Sequence, residues 1–201
     1  MGSWVEPVVL EGRDARLEPL DERHADGLFA IGTEPSIWDW LSYGPFVDRD
    51  DALRFIGRAA ETGKGGAEQV FAVIHRPSGR VAGTTRYMNI RPNDLALEIG
   101  WTWYGLEFQR TAVNTECKLL LMRHAFETLG ANRVQLKTDA RNLRSQAAIA
   151  RLGAVREGVL RQDTIVIKDG YVRDSVYFSV VKPEWPAVKE RLESFLQRDV
   201  R

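Results

Sequence analysis

The chain has 201 residues, with 44% hydrophobic and 28% charged residues, and its 28 Lys plus Arg equal its 28 Asp plus Glu. That length and balance suit one soluble domain spanning 1–201 and give no basic excess for nucleic acid. A lone cysteine, Cys117, excludes an internal disulfide and fits a reducing cytoplasm, and no window approaches the roughly 18–20 apolar residues of a membrane span. The N-terminus, MGSWVEPVVLEG, lacks the basic and apolar regions of a signal peptide.

Val8–Leu10 and Ala15–Pro19 read as short strands around a turn at 12–14. Asp21 caps a helix running to about Ile31, with Ala25, Leu28 and Ile31 on one face. Residues 35–43, PSIWDWLSY, read as a short aromatic helix, and Asp48–Glu61 as a longer one striped by Ala52, Phe55, Ile56 and Ala59. Gln69–His75, Arg80–Ile90 and Leu95–Tyr104 then predict an antiparallel meander. A turn over 105–110 opens a helix reaching Leu129, and its apolar interior makes Cys117 a small buried residue. Arg133–Asp139 alternates as a strand. Asn142 caps a helix that Gly153 closes. Val155–Val166 and Tyr171–Val181 form a hairpin around 168–170, and a helix from Trp185 to about Gln197 follows. Strands and inserted helices in this order predict a mixed α/β plan, an α+β mixed sheet without a regular βαβ repeat.

Three places invite chemistry. The strand Leu95–Trp103 feeds a helix start, where unpaired backbone amides of about Arg110 to Thr115 meet the positive end of the helix dipole. That combination holds phosphate, and Arg110 and Lys118 add charge nearby, although an ordinary solvated helix start has the same sequence. Glu98 sits mid-strand opposite Leu97 and Ile99, sharing its face with Gly100. It can serve as a half-buried general base, pair with Arg86 on the neighbouring strand, or face water. Asn142 and Ser145 share one face of a helix start, for which capping alone is a sufficient reason. His24, His75 and His124 show no metal-ligand or triad spacing, so no metal is expected.

The strand EIGWTW, the loop QRTAVNTE, the helix KLLLMRHAFETLGANRV and the run KTDARNLRSQAAIARLGAVREG resemble the acyl-CoA-binding half of a GNAT-superfamily N-acetyltransferase. Within it they are similar to the ribosomal-protein N-terminal branch (RimJ/RimL-like), whose first strand and helix ARLEPLDERHADGLFAI also resembles. The resemblance implies a GNAT-like fold with splayed central strands and acetyl-CoA as co-substrate. Its pantetheine arm would bond to the backbone around Ile99, Trp101 and Trp103. The pyrophosphate would rest on the amides of Arg110, Thr111, Ala112, Val113, Asn114 and Thr115, with Gln109 also in the cofactor site and Asn142 and Ser145 near the thioester. Glu98 would take the proton of the attacking amine and Ser145 would assist the departing thiolate. Two departures stand out. Ala112 and Asn114 occupy loop positions where glycine is usual, and Ile149 occupies the position of the tyrosine that reprotonates the thiolate in many relatives. The acceptor would be a peptide N-terminus or a small amine, in a pocket lined by Trp38, Trp40, Tyr43, Arg86, Trp101 and Tyr104. With Asp39 alone as an acid in the 35–46 segment, a polyamine is disfavoured. A non-catalytic acyl-CoA-binding or sensing domain is the alternative, and an interaction domain that binds no CoA is the third reading. The C-terminal hairpin is the expected place for homodimerisation.

Overall fold

The computed structural model describes residues 3–166 and 168–198, so Met1 and Gly2 of the N-terminal stretch lie outside it. Eight strands form one sheet in the order β1-β2-β3-β4-β5-β6-β8-β7. They are β1 (Leu10–Glu11), β2 (Ala15–Pro19), β3 (Gln69–His75), β4 (Arg80–Arg91), β5 (Ala96–Tyr104), β6 (Arg133–Asp139), β7 (Val155–Ile165) and β8 (Val172–Val181). The helices are α1 (Ala25–Gly32), α2 (Arg49–Gly63), α3 (Ala112–Arg123), α4 (Leu143–Arg151) and α5 (Trp185–Arg198). The expected meander β3-β4-β5 and hairpin β7-β8 are present.

Differences from the expected elements have local causes. The first predicted helix opens as a tight turn, Glu22–His24, in which Asp21 accepts from the Arg23 amide, before α1 begins. The aromatic stretch 35–43 makes a single 3₁₀ turn, Pro35–Trp38, started by proline at its first position. The long helix expected to reach Leu129 leaves regular α geometry after Arg123 and finishes as a π turn, His124–Thr128.

Among the described residues only β5 and β6 run parallel, and they pair over three positions: Ala96 with Arg133, Leu97 with Val134, and Glu98 with Gln135. Beyond these, β5 stays on β4 and β6 stays on β8, so the two strands part into a cleft. Within β5 a bulge sits at Trp101. Thr84 pairs with Trp103 but Arg86 pairs with Gly100, so two residues of β5 oppose Thr85, and Trp101 has φ 49°.

The bulge reverses the alternation of β5. Before it, Ile99 pairs with Tyr87, whose hydroxyl donates to the Leu121 carbonyl of α3. After it, Thr102 meets Thr85 and Lys118 of α3, while Trp103 turns to Trp38 and Phe55 on the α2 side. An unbroken strand would put Ile99, Trp101 and Trp103 on one face.

α3 is tied to the sheet edge by Glu116. Its Oε1 accepts from the Arg13 amide at 2.8 Å, and its Oε2 accepts from the Asp14 and Ala15 amides at 2.6 Å each. Gly12 leaves room for that carboxylate, because a Cβ there would lie 2.3 Å from Glu116 Cδ.

Candidate active site

Glu98 occupies the last paired position before β5 and β6 part. Its side chain is 1% exposed, and Oε2 accepts from Asn89 Nδ2 at 2.9 Å and Gln135 Nε2 at 2.8 Å. Of the three alternatives for Glu98, a pair with Arg86 is not formed: Arg86 Nη1 binds Glu68 at 2.6 Å. Nor does Glu98 face bulk water. It borders a cavity of about 310 Å³ lined also by Asn89, Ile90, Arg91, Leu97, Arg133 and Gln135. Glu68, Asn89 and Gln135 are the partners that the sequence reading missed. The available signal was polarity alone, since Gln135 alternates with Val134 and Leu136 on the strand that Glu98 joins.

Past Glu98, Ile99 to Tyr104 form no ladder with β6, so the cleft side of β5 presents unpaired backbone. The strand then leads through the tight turn Leu106–Phe108 to α3. Gln109 Nε2 donates to the Tyr104 carbonyl at 3.1 Å, Arg110 takes a left-handed conformation (φ 61°), and Thr111 caps the helix by accepting from the Val113 amide at 3.3 Å. The positive φ of the loop therefore falls on Arg110. Ala112 and Asn114 lie in regular helix, where no glycine is required. Val113 is buried, and Thr115 is buried with its hydroxyl accepting from Arg151 of α4 at 2.9 Å. Their side chains brace the helix start, where the Val113 amide is taken by Thr111 and the other first-turn amides have no partner within the helix.

Lys118 is not at the loop surface. It is 5% exposed, and Nζ donates to Thr102 Oγ1 at 2.7 Å. Burial drives its pKa down to about 8, and it forms no ion pair among the described residues. At the other wall of the cleft, Asn142 caps α4 by accepting from the Ser145 amide at 2.9 Å, with Ser145 half-buried beside it. Ile149 is buried in the same helix and has no proton to give.

The six aromatic and basic residues expected around an acceptor separate into groups. Trp38 and Tyr43 pack in a cluster with Phe46, Phe55 and Trp103, Trp38 and Trp103 having ring centroids 4.7 Å apart. Burial raises the Tyr43 pKa, with the Arg58 charge opposing. Arg86 stacks 4.8 Å over the Trp101 ring and is pushed below its usual pKa by burial, against the pull of Glu68. Trp40 lies outside, with Arg141 5.6 Å from its ring, and Arg141 in turn lies 3.4 Å from the Tyr171 ring. Lys168 donates to the carbonyls of Trp38 and Asp39, holding the β7–β8 turn over this segment. Tyr104 is on the opposite face, against the buried Cys117.

Glu98 thus stands where the two parallel strands part, and β5 leads on from it through the turn Leu106–Phe108 to the start of α3. Residues 15–155 match the family model for the acetyltransferase (GNAT) domain. The chain belongs to the GNAT acetyltransferase family. Members of this family take the acetyl group from acetyl-CoA. The protein named "Putative ribosomal N-acetyltransferase YdaF" from Bacillus subtilis is 32% identical over 111 residues, which is 55% of this chain and 59% of YdaF. The crystal structure of a GCN5-related N-acetyltransferase from Brucella melitensis superposes with a TM-score of 0.89 at 34% identity, over 96% of this chain and 86% of that one. The fold is also that of the microcin C7 self-immunity acetyltransferase MccE, solved with acetyl-CoA and AMP (TM-score 0.75, 20% identity, 85% and 93% covered). Among the described residues no helix is long and apolar enough to cross a membrane, and no cluster of His, Cys, Asp and Glu could hold a metal ion.

Proposed function

We propose that this N-acetyltransferase moves the acetyl group of acetyl-CoA to a primary amine by direct attack, with Glu98 as general base. The observation that carries the reading is the place of Glu98: a carboxylate 1% exposed at the last paired position before the cleft opens. A domain that only bound or sensed acyl-CoA would need the cleft but no buried carboxylate beside it. Acetyl-CoA supplies an activated acyl group and a thiolate leaving group. The chain's residues fit it: unpaired backbone from Ile99 to Trp103 for the pantetheine amides and first-turn amides of α3 for the phosphates. Ser145, at the first turn of α4, is the hydroxyl placed to support the thiolate.

The acceptor is proposed from the face of the sheet that carries Glu98. Thr84 Oγ1, Arg86 Nε and Trp103 Nε1 are buried there without a hydrogen-bond partner. All three can donate, and a buried donor left unmade is costly. An acceptor that brings oxygen atoms beside its amine satisfies them, which a peptide N-terminus or an amino acid does and a polyamine does not. The name "Putative ribosomal N-acetyltransferase YdaF" supports an acceptor of ribosomal origin. We further propose that two copies associate through β7, an edge strand whose Val155, Val159, Leu160 and Ile165 are exposed.

A thiol-release assay with acetyl-CoA against short peptides, amino acids and polyamines tests the assignment. Peptides or amino acids are expected to release CoA well above background and polyamines are not. Release with polyamines alone would overturn the acceptor class, and no release with any amine would overturn catalysis.

A further inference from the structure

Two side-chain amides reach Glu98 from the strands on either side of it. Gln135 is its ladder partner on β6, and Asn89 comes from β4. Asn89 does not simply continue its strand. The β4–β5 register slips between Met88 and Arg91, and Asn89 takes φ 47°, a left-handed conformation that asparagine tolerates better than most residues. The strand thus leaves its ladder at the residue whose amide meets the carboxylate.

Both amides donate to the same atom, Oε2. The other oxygen, Oε1, lies over Gly100, where an ideal Cβ would be 3.3 Å from it and 2.7 Å from Met88 Sδ. Gly100 is on the cleft side of Glu98, beyond the last β5–β6 pair. Oε2 is therefore spent as an acceptor, and Oε1 keeps its lone pairs on the side where the strands part. The amides also border the cavity beside Glu98.

We infer that Asn89 and Gln135 are positioning residues that select Glu98 Oε1 as the atom receiving the acceptor's proton. In that step an ammonium N–H bond of the acceptor breaks as Oε1–H forms, the freed nitrogen pair makes the bond to the acetyl carbon, and the thioester C–S bond then breaks with its electron pair leaving on the CoA thiolate. The inference rests on the proposed role of Glu98 as base. A role limited to satisfying a buried carboxylate predicts lost stability with no special link to turnover.

The test is a mutant cycle on the full chain. Gln135→Met keeps length without a donor, and Asn89→Gly removes the amide at a backbone conformation glycine accepts. Each is made with Glu98 intact and with Glu98→Gln, and kcat, KM, melting temperature and acetyl-CoA affinity by calorimetry are measured. With Glu98 intact each variant is expected to lower kcat roughly ten- to a hundredfold, the scale of a misplaced catalytic group, with acetyl-CoA affinity within about twofold. In the Glu98→Gln background the same changes are expected to cost no further turnover. Equal losses in both backgrounds, losses that follow melting temperature alone, or unchanged kcat would overturn the inference. If Glu98→Gln itself leaves kcat intact, the base assignment falls and takes the inference with it. Impaired Glu98→Gln with silent amide variants removes the inference only.

Discussion

Lys118 is costly as a residue. Burial lowers its pKa from the ordinary 10.5 to about 8, and one hydroxyl is its hydrogen-bond partner. The unfolded chain holds this proton more firmly, so between about pH 8 and 10 it binds more protons than the folded protein. Stability therefore rises with pH across that window, and the full penalty, on the order of 3 kcal/mol, is present below it. Lys118→Met removes the penalty and also a hydrogen bond worth about 1 kcal/mol. Its expected outcome at pH 7 is a melting temperature higher by several degrees. The advantage should shrink as pH climbs past 8. A variant less stable than the parent at pH 7 contradicts this assignment.

At the scale of elements, two irregularities in strands shape the function. Glu98 and Gly100 share a face by ordinary alternation, and the bulge at Trp101 then breaks the phase of β5 so that Thr102 returns to α3. The edge strand β7 is the second. It is displaced from β8 between Arg156 and Gly158 and between Leu160 and Thr164, with Gln162 at φ 52°, yet leaves Val155, Val159, Leu160 and Ile165 exposed. An apolar edge of this length is an association site unless it is covered. If a second copy covers it, light scattering on the purified chain gives the mass of two chains, and Leu160→Lys with Ile165→Lys gives the mass of one. A single-chain mass for the unaltered protein at micromolar concentration contradicts the dimer.

Across the whole molecule, the sequence made the order of elements and the strand-to-helix passage from β5 to α3 legible, because periodicity, caps and turn residues act locally. Asn142 as cap, the apolar burial of Cys117 and the meander β3-β4-β5 all follow from neighbours in the chain. What stayed hidden depends on distant contacts. Nothing near Arg86 marks Glu68 as its partner in place of Glu98, and nothing near Trp103 shows that a bulge two residues earlier turns it into the Trp38 cluster. The expected gathering of Tyr104 with Trp38 and Tyr43 misses for the same reason, as does the loop charge assigned to Lys118. Ala112 and Asn114 looked like departures in the sequence, but the loop places its one left-handed residue at Arg110 and leaves them helical.

The central claim is that the carboxylate at the parting of β5 and β6 removes the acceptor's proton. Its most direct measurement is the pH–rate profile of Glu98→Gln beside the parent protein, with acetyl-CoA affinity determined on both. The variant is expected to lose roughly 10²–10⁴ in kcat, the contribution of a positioned general base. The loss should be greatest at low pH, where an α-amine of pKa about 8 is mostly protonated, and acetyl-CoA affinity should be nearly unchanged. Turnover equal to the parent's across the pH range would contradict it.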